Sequence, residues 1–360
     1  MRGQKPPAED GAGHKRTIIS GVPSGRDGRD LRWSCGNLRS WHTGDVTFDP
    51  EKYPMGRVGI RTVGLVANPR AGRGRASHAT DRAVARLTER GVSVVAVQGR
   101  DTDATRRLLA GLVADDRIDA LVVVGGDGMV NLALQAQAGT GLPLGIIPAG
   151  TGNDHAREHR LPGSPEDAAD VVADGFTIAT DLGRITADDG TSRWFGTVMC
   201  SGFDSLVSDR VNRMTWPPGR SRYHMAIAAE LVHLRPMPLR ITLDDGTVLD
   251  APVTLAAFGN TRSYGGGMAI CPSADHSDGL LDLTVIGEAS RVRAVRTLSK
   301  LFSGDHVMFD EVTVHRTRSA RVEYLGVGGH RSYADGDAMA TLPVSVEAVP
   351  AVGRYIVPRP

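Results

Sequence analysis

The sequence predicts an α/β protein: a three-layer α/β domain on a parallel sheet, followed by a mostly antiparallel β-sandwich domain. Two observations carry this. Up to about residue 180, short apolar runs alternate with stretches of helical period, and strands alternating with helices imply a parallel sheet covered on both faces. From about Asp181 the texture turns to short alternating strands separated by turns such as DDG.

In chain order, IRTVGLVA reads as the first strand and NPRAGRG as a turn-rich loop. Ser77 to Arg90 places Ala83, Val84 and Leu87 on one helical face and stops at Gly91. VSVVAV is a second strand, Thr102 to Val113 a second helix and ALVVV a third strand. A helix through Asn131 to Ala138, the strand LGIIP and a helix capped by Ser164 with Pro165 at its first position complete the unit. The later strands are WFGTVMC, LRITLDDGTVLDAPVTLAAFGN, LLDLTVIG, FDEVTVHRTRSARVEYLG and LPVSVEAV. Helical interruptions are expected at Tyr223 to Leu234 and Ser290 to Phe302. The expected divisions are an extension at 1–55, an α/β domain at 56–180, a β domain at 181–345 and a final segment at 346–360.

With 360 residues the chain is long enough for two cores, and 41% hydrophobic with 23% charged residues is a globular composition. The formal net charge of +1 gives no global attraction to nucleic acid, which is not expected as a partner. Cys35, Cys200 and Cys271 are far apart, without metal or disulfide spacing, so a reducing, cytoplasmic setting is the natural reading. No apolar run approaches the roughly 20 residues that span a bilayer, and no secretory h-region follows the early basic residues. Residues 1–55, rich in Gly, Pro, Arg and Asp, are expected to be weakly ordered. Met55 is an alternative start, which mass spectrometry of the native N-terminus would test.

Three loops fall at the carboxyl ends of parallel strands, where open α/β sheets collect ligands: Asn68 to Gly74, Gly125 to Gly128 and Pro148 to Asp154. Bare strand-to-helix turns let backbone N–H groups point at an anion, so three on one edge suggest a polyphosphate. Each alone also reads as a tight turn. Neither a Walker lysine nor G-x-G-x-x-G is present.

In combination, NPRAG, VVVGGDG, IPAGTGND, the series FGNTRSYGGGMAICPSADHSDGLLD and the late ADGD resemble the diacylglycerol kinase catalytic-domain family of lipid kinases, which resembles the sphingosine kinases. The resemblance covers roughly Val63 to Pro358. It implies ATP bound between two domains, a last segment around Ile356 that returns to the first domain, and Mg²⁺-dependent transfer of the γ-phosphate to the hydroxyl of diacylglycerol or a related lipid alcohol. It places Asn68, Pro69, Arg70, Ala71, Gly72, Arg73, Gly126, Asp127, Gly128, Asn131 and Thr151 around ATP, with Asp154 and Asp181 in the supporting hydrogen-bond network. Asp127 has a second reading as a helix N-cap, and Arg73 as a solvated loop residue. Asp275 and Asp278 with the Leu280 carbonyl match the family's structural Mg²⁺ site, a hard-oxygen set; read alone, D-H-S-D-G is an ordinary turn. Asp337 matches the general base, where relatives carry Glu. Aspartate is shorter by about 1.5 Å, a distance to which catalysis is sensitive. Asp335 either shares that role or orients the metal and water network. Relatives also carry Thr and Glu where this chain has Met129 and Leu132, so a nucleotide contact is expected to be lost or taken over by the Met129 backbone N–H.

A lipid acceptor requires a surface near the bilayer. SRVRAVRTLSKLF places Val292, Val295, Leu298, Leu301 and Phe302 along one side with Arg291, Arg293, Arg296 and Lys300 elsewhere, the profile of an interfacial helix and equally of a surface helix on a β domain. RVNRMTWPPGRSRYHM, Arg210 to Met225, is a second patch of Arg with Trp216 and Tyr223. Peripheral contact at the inner face of the membrane is the expectation, and a homodimer is compatible with the sequence. Two other readings compete: an NAD kinase-like enzyme, which shares a GGDG loop, and a non-catalytic nucleotide- or lipid-binding relative.

Overall fold

The computed structural model describes residues 55–67, 75–202, 210, 214 and 236–359. The expected N-terminal extension, the loop from Asn68 to Gly74, the helix expected at Tyr223 to Leu234 and most of the Arg210 to Met225 patch lie outside the described residues.

The first part runs β1 (Gly56–Arg57), β2 (Thr62–Ala67), α1 (Arg75–Glu89), β3 (Ser93–Gln98), α2 (Thr102–Val113), β4 (Ala120–Gly125), α3 (Asp127–Gln137), β5 (Leu144–Pro148), α4 (Asp154–Glu158) and α5 (Pro165–Asp174). Strands β3, β2, β4 and β5 pair in that order, all parallel. Every residue of β4 and β5 is buried. That is why these strands are continuous apolar runs: helices cover both faces of a parallel sheet. The apolar clusters on the two faces contain α1 with α5, and α2 with α3.

Helix ends follow local chemistry. The Asp101 carboxylate accepts from Ala104 N at 2.7 Å to cap α2, and Ser164 does the same for α5, whose first residue is Pro165. Gly91 and Gly175 close α1 and α5 in the left-handed region, with φ of 78° and 70°. The third helix departs from expectation, beginning at Asp127 rather than near Asn131, so that the glycine turn is itself the helix start. An acid in the first turn favours that start, because the helix N-terminus carries partial positive charge.

The second part contains β6 (Phe176–Ala187), β7 (Ser192–Phe195), β8 (Val198–Gly202), β9 (Met237–Leu243), β10 (Val248–Gly259), β11 (Leu281–Gly287), α6 (Arg291–Ser299), β12 (Val312–Thr317), β13 (Ser319–Tyr324), β14 (Arg331–Ala334), β15 (Asp337–Thr341) and β16 (Val344–Ile356). All its pairings are antiparallel except one, the parallel bridge Tyr355↔Leu144 between β16 and β5. Their inward side chains, among them Phe195, Leu239, Phe258, Leu283 and Val346, form a separate apolar core. β16 pairs with β6 over most of its length, so the last strand ties the two halves together. Its register is interrupted between Val349 and Gly353, where Ala351 takes φ of 57°.

Candidate active site

The glycine turn after β4 and the turn after β5 pack backbone against backbone. A Cβ added at Gly150 would lie 2.4 Å from Gly126 Cα, which leaves no room for any side chain there. Asn153, in the left-handed region at φ 54°, braces the second turn by accepting from Gly150 N at 3.0 Å. Asp127 accepts from His155 N at 3.2 Å, so the first turn holds the start of α4. Asp154 is buried and accepts from Gly266 N at 2.8 Å, joining this edge to the GGG loop of the second part. Burial, then the charge of Asp127, pushes the Asp154 carboxyl above the usual carboxylate range. Thr151 stands exposed on the same turn.

From the other side comes the β14–β15 hairpin. A Cβ added at Gly128 would meet Asp337 Oδ2 at 3.7 Å, so the Asp337 carboxylate faces the first turn of α3. Burial pushes its carboxyl upward, opposed by the charge of Arg193. Arg193 itself donates from Nη1 to Ala338 O at 2.7 Å, next to Asp337.

Asp335 points the opposite way and is buried. Its Oδ2 accepts from Asn131 Nδ2 and Gly196 N, both at 2.9 Å, and its Oδ1 from Thr197 N at 2.9 Å and the Thr197 hydroxyl at 2.5 Å. Burial would raise its carboxyl, but the adjacent His155 and these donors outweigh burial and hold it at about 2. Asn131 is fully buried, and its amide also donates to Trp194 O at 3.1 Å.

A second cluster forms around the DHSDG loop. Asp275 accepts from Ser277 N at 3.0 Å and its hydroxyl at 2.6 Å, and Asp278 accepts from Leu280 N at 3.0 Å. Arg316 contacts Asp278 Oδ2 and donates to Asp282 Oδ1 at 3.1 Å. Burial and the charge of Asp275 raise the Asp282 carboxyl to about 6, and its Oδ2 is buried without a hydrogen bond. Asp181, expected in the supporting hydrogen-bond network, is part of this cluster. Its carboxylate accepts from Gly279 N at 2.7 Å and from Ala351 N at 3.1 Å, fixing the loop to the β16 bulge.

The structure thus brings together Gly126, Asp127, Gly128, Asn131, Asp154, Asp335 and Asp337, and separately Asp181, Asp275, Asp278 and Leu280. Asn68 to Arg73 lie outside the described residues. Of the two outcomes expected at Met129, the geometry favours loss of the contact: its side chain is 7% exposed and sits in the core beneath the turn, and its N–H donates to Gly126 O at 2.9 Å. A Cβ at Gly125 would lie 2.8 Å from Met129 Cβ, so that glycine makes room for the methionine. Sequence reading missed Thr197, Gly196, His155 and Arg193, whose roles depend on partners distant in the chain. The only local signal was Gly196 interrupting WFGTVMC inside a strand pattern.

Residues 62–185 match the family model for the diacylglycerol kinase catalytic domain, and 197–357 that for the YegS C-terminal NAD kinase beta sandwich-like domain. A protein of Mycobacterium tuberculosis (strain ATCC 25618 / H37Rv) named "Diacylglycerol kinase" is 53% identical over 301 residues, 83% of this chain and 96% of that protein. A "Probable lipid kinase YegS-like" of Stenotrophomonas maltophilia (strain K279a) is 28% identical over 274 residues, 73% of this chain and 86% of that protein. A crystal structure titled as a diacylglycerol kinase from Bacillus anthracis str. Sterne shares the fold, with TM-score 0.63 at 18% identity over 84% of this chain and 98% of that one. This chain belongs to the diacylglycerol kinase family of lipid kinases.

Proposed function

We propose that the chain transfers the γ-phosphate of ATP to the hydroxyl of diacylglycerol or a related lipid alcohol, with Asp337 as general base. The observation that carries this reading is the approach of Asp337 Oδ2 to Gly128, at 3.7 Å from where a Cβ would be. A carboxylate then faces the N-terminal turn of α3, where backbone N–H groups and the helix start favour phosphate. Burial raises its pKa, which makes it a stronger proton acceptor than an exposed carboxylate. Asp127 and Asp154 line the same edge, and Asn68 to Arg73, following β2, would supply the remaining cradle. Asp335 holds the hairpin and does not exchange a proton, since its donors keep it ionised. Gly126, Gly128 and Thr151 complete the nucleotide side in this reading, whereas Asn131, expected around ATP, is fully buried and spends its amide on Asp335 and Trp194 O.

The DHSDG loop fits Mg²⁺ in donor chemistry. Among the described residues no three His, Cys, Asp or Glu side chains converge on a metal position, so Asp275, Asp278 and the Leu280 carbonyl would hold the ion together with waters. The buried, unpartnered Asp282 Oδ2 marks unsatisfied negative charge beside them, and Arg316 would have to release Asp278. Bound Mg²⁺ would offset the carboxylate charge of this cluster and order the loop.

The acceptor is a lipid, and among the described residues no helix is long and apolar enough to cross a membrane. A peripheral contact is proposed at α6. Here the expected single apolar side divides: Leu301 is buried and Leu298 half-buried against the β domain, while Val292 (80% exposed), Val295 (51%) and Phe302 (55%) face outward beside Arg293, Arg296 and Lys300. Leu301 O accepts from Ala269 N at 2.8 Å, so this surface is backed by the loop whose Gly266 reaches Asp154.

Incubation of the purified protein with labelled ATP, Mg²⁺ and a panel of lipid alcohols in mixed micelles tests the reading, with NAD as a control acceptor. Asp337→Asn is expected to abolish transfer while nucleotide affinity, measured by calorimetry, changes less than about threefold. Near-normal turnover in that variant removes Asp337 from the mechanism.

A further inference from the structure

His155 is the buried titratable group nearest the site that phosphoryl transfer, as proposed above, does not use. It is 1% exposed, on the short helix that follows the third loop. Its Nε2 lies 3.6 Å from Asp335 Oδ2 and meets no closer hydrogen-bond partner. On the other side, Nδ1 is 3.5 Å from the Tyr355 hydroxyl, on the last strand. Space for the ring is built in: a Cβ at Gly196 would lie 2.3 Å from His155 Cε1 and 3.0 Å from the Tyr355 hydroxyl. That same Gly196 donates its N–H to Asp335 at 2.9 Å.

Three segments distant in sequence therefore close on one imidazole. Nε2 is buried without a hydrogen-bond partner, and the Asp335 carboxylate 3.6 Å away is the charge that faces it, so the ring is held there by electrostatic attraction in a site shielded from water. Asp335 is followed by Gly336 and then Asp337, so whatever fixes Asp335 fixes the start of the strand that presents Asp337. Burial opposes the charged imidazole, but Asp335, with Asp127 and Asp154 behind it, raises its pKa overall.

We propose that His155 is a positioning residue for the transfer reaction: clamped between the Asp335 carboxylate and the Tyr355 hydroxyl, it holds the Asp335–Gly336–Asp337 turn against Gly128. The proposal rests on the reading of Asp337 as base. Its role is expressed in kcat, because the turn and not the nucleotide is what it holds. A displacement of about 1 Å at a reacting group costs on the order of 100-fold.

Steady-state kinetics and hydrogen exchange on the full chain test this with three variants. His155→Phe keeps a ring without a donor, His155→Gln restores a donor, and Tyr355→Phe removes only the hydroxyl. Expected for His155→Phe are a fall in kcat of about 10- to 100-fold, an ATP KM within about twofold of wild type, and faster exchange across residues 331–341. His155→Gln should recover most of the kcat and the protection, and Tyr355→Phe should lower kcat a few-fold. If His155→Phe destabilises the whole chain, Tyr355→Phe and His155→Gln carry the same comparison. Unchanged exchange across 331–341 in His155→Phe overturns the proposal. So does a kcat within twofold of wild type, and where exchange has nonetheless risen, that result takes the assignment of Asp337 with it.

Discussion

Replacing Asp335 by asparagine separates an anchoring carboxylate from a reacting one. In the wild type both oxygens are acceptors, taking Asn131 Nδ2 and Gly196 N on one and Thr197 N and its hydroxyl on the other. Asparagine keeps one oxygen, and whichever way the amide turns, an NH2 faces donors that no longer have an acceptor. A carboxyl held at about 2 against an ordinary 3.8 contributes about 2 kcal/mol to folding at neutral pH. Each buried donor left facing the NH2 costs about 1–3 kcal/mol more. The same hydrogen bonds enter both figures, so the expected loss is about 3–5 kcal/mol, or roughly 6–10 °C in Tm at about 2 °C per kcal/mol for a large chain. Because the native carboxyl is depressed, its contribution is complete above the ordinary value and disappears as pH falls toward about 2. Differential scanning calorimetry from pH 7 down to the acid limit should therefore show a gap between wild type and variant that narrows as pH falls. A Tm within about 2 °C of wild type at pH 7, or a gap that does not narrow, would refute the anchoring argument.

Three other outcomes follow from the same geometry. Burial raises the Asp337 carboxyl and Arg193 opposes it, and a base must be ionised, so kcat should fall as pH drops through that raised value. Arg193→Gln should move the acid limb of the kcat profile to higher pH, and a limb that stays put would show that the arginine does not act on Asp337. Met129→Thr should leave ATP KM and kcat within about twofold, because the thioether lies in the core, while stability falls by about 1–3 kcal/mol. Serine at Val292, Val295 and Phe302 together should reduce flotation with phospholipid vesicles while activity on a short-chain, monomeric acceptor persists, and equal flotation would remove α6 from the membrane contact.

What the sequence made legible was whatever a residue imposes on its own neighbourhood. The bare turns of GGDG and PAGTGND could be read because only glycine permits two backbones to approach as Gly126 and Gly150 do. The buried strand Ala120–Gly125 could be read because it is apolar without alternation. Contacts that join distant segments left no such mark. Nothing near Asp335 announces that Thr197, 138 positions earlier, and Asn131, 204 earlier, will supply its donors. Asp181 was placed by resemblance in the supporting hydrogen-bond network, but nothing local names the partners of its carboxylate, Gly279 N and Ala351 N. At Met129 the sequence left two outcomes open for a family contact, and what decides between them is the helix start two residues earlier, which turns the side chain into the core.

The ADGD turn shows how little of this electrostatics depends on residue type. Two aspartates separated by one glycine end with acidities displaced in opposite directions, one held at about 2 and the other raised. Asp335 is buried and Asp337 half-buried, so burial alone would raise both. The difference is made by the backbone: Asp335 and Gly336 both take left-handed angles, φ 51° and 85°, which turn the two carboxylates to different sides of the hairpin. On one side wait two backbone N–H groups, an amide, a hydroxyl and an imidazole. On the other side, among the described residues, the carboxylate accepts no hydrogen bond and feels only the charges of Arg193 and Arg106 against that of Asp335. A non-glycine residue in the left-handed region is strained, and here the donors around Asp335 offset that strain. The strain is what allows a rigid anion and a proton acceptor to sit a few ångströms apart on one turn, so the group that fixes the turn need not be the group that reacts.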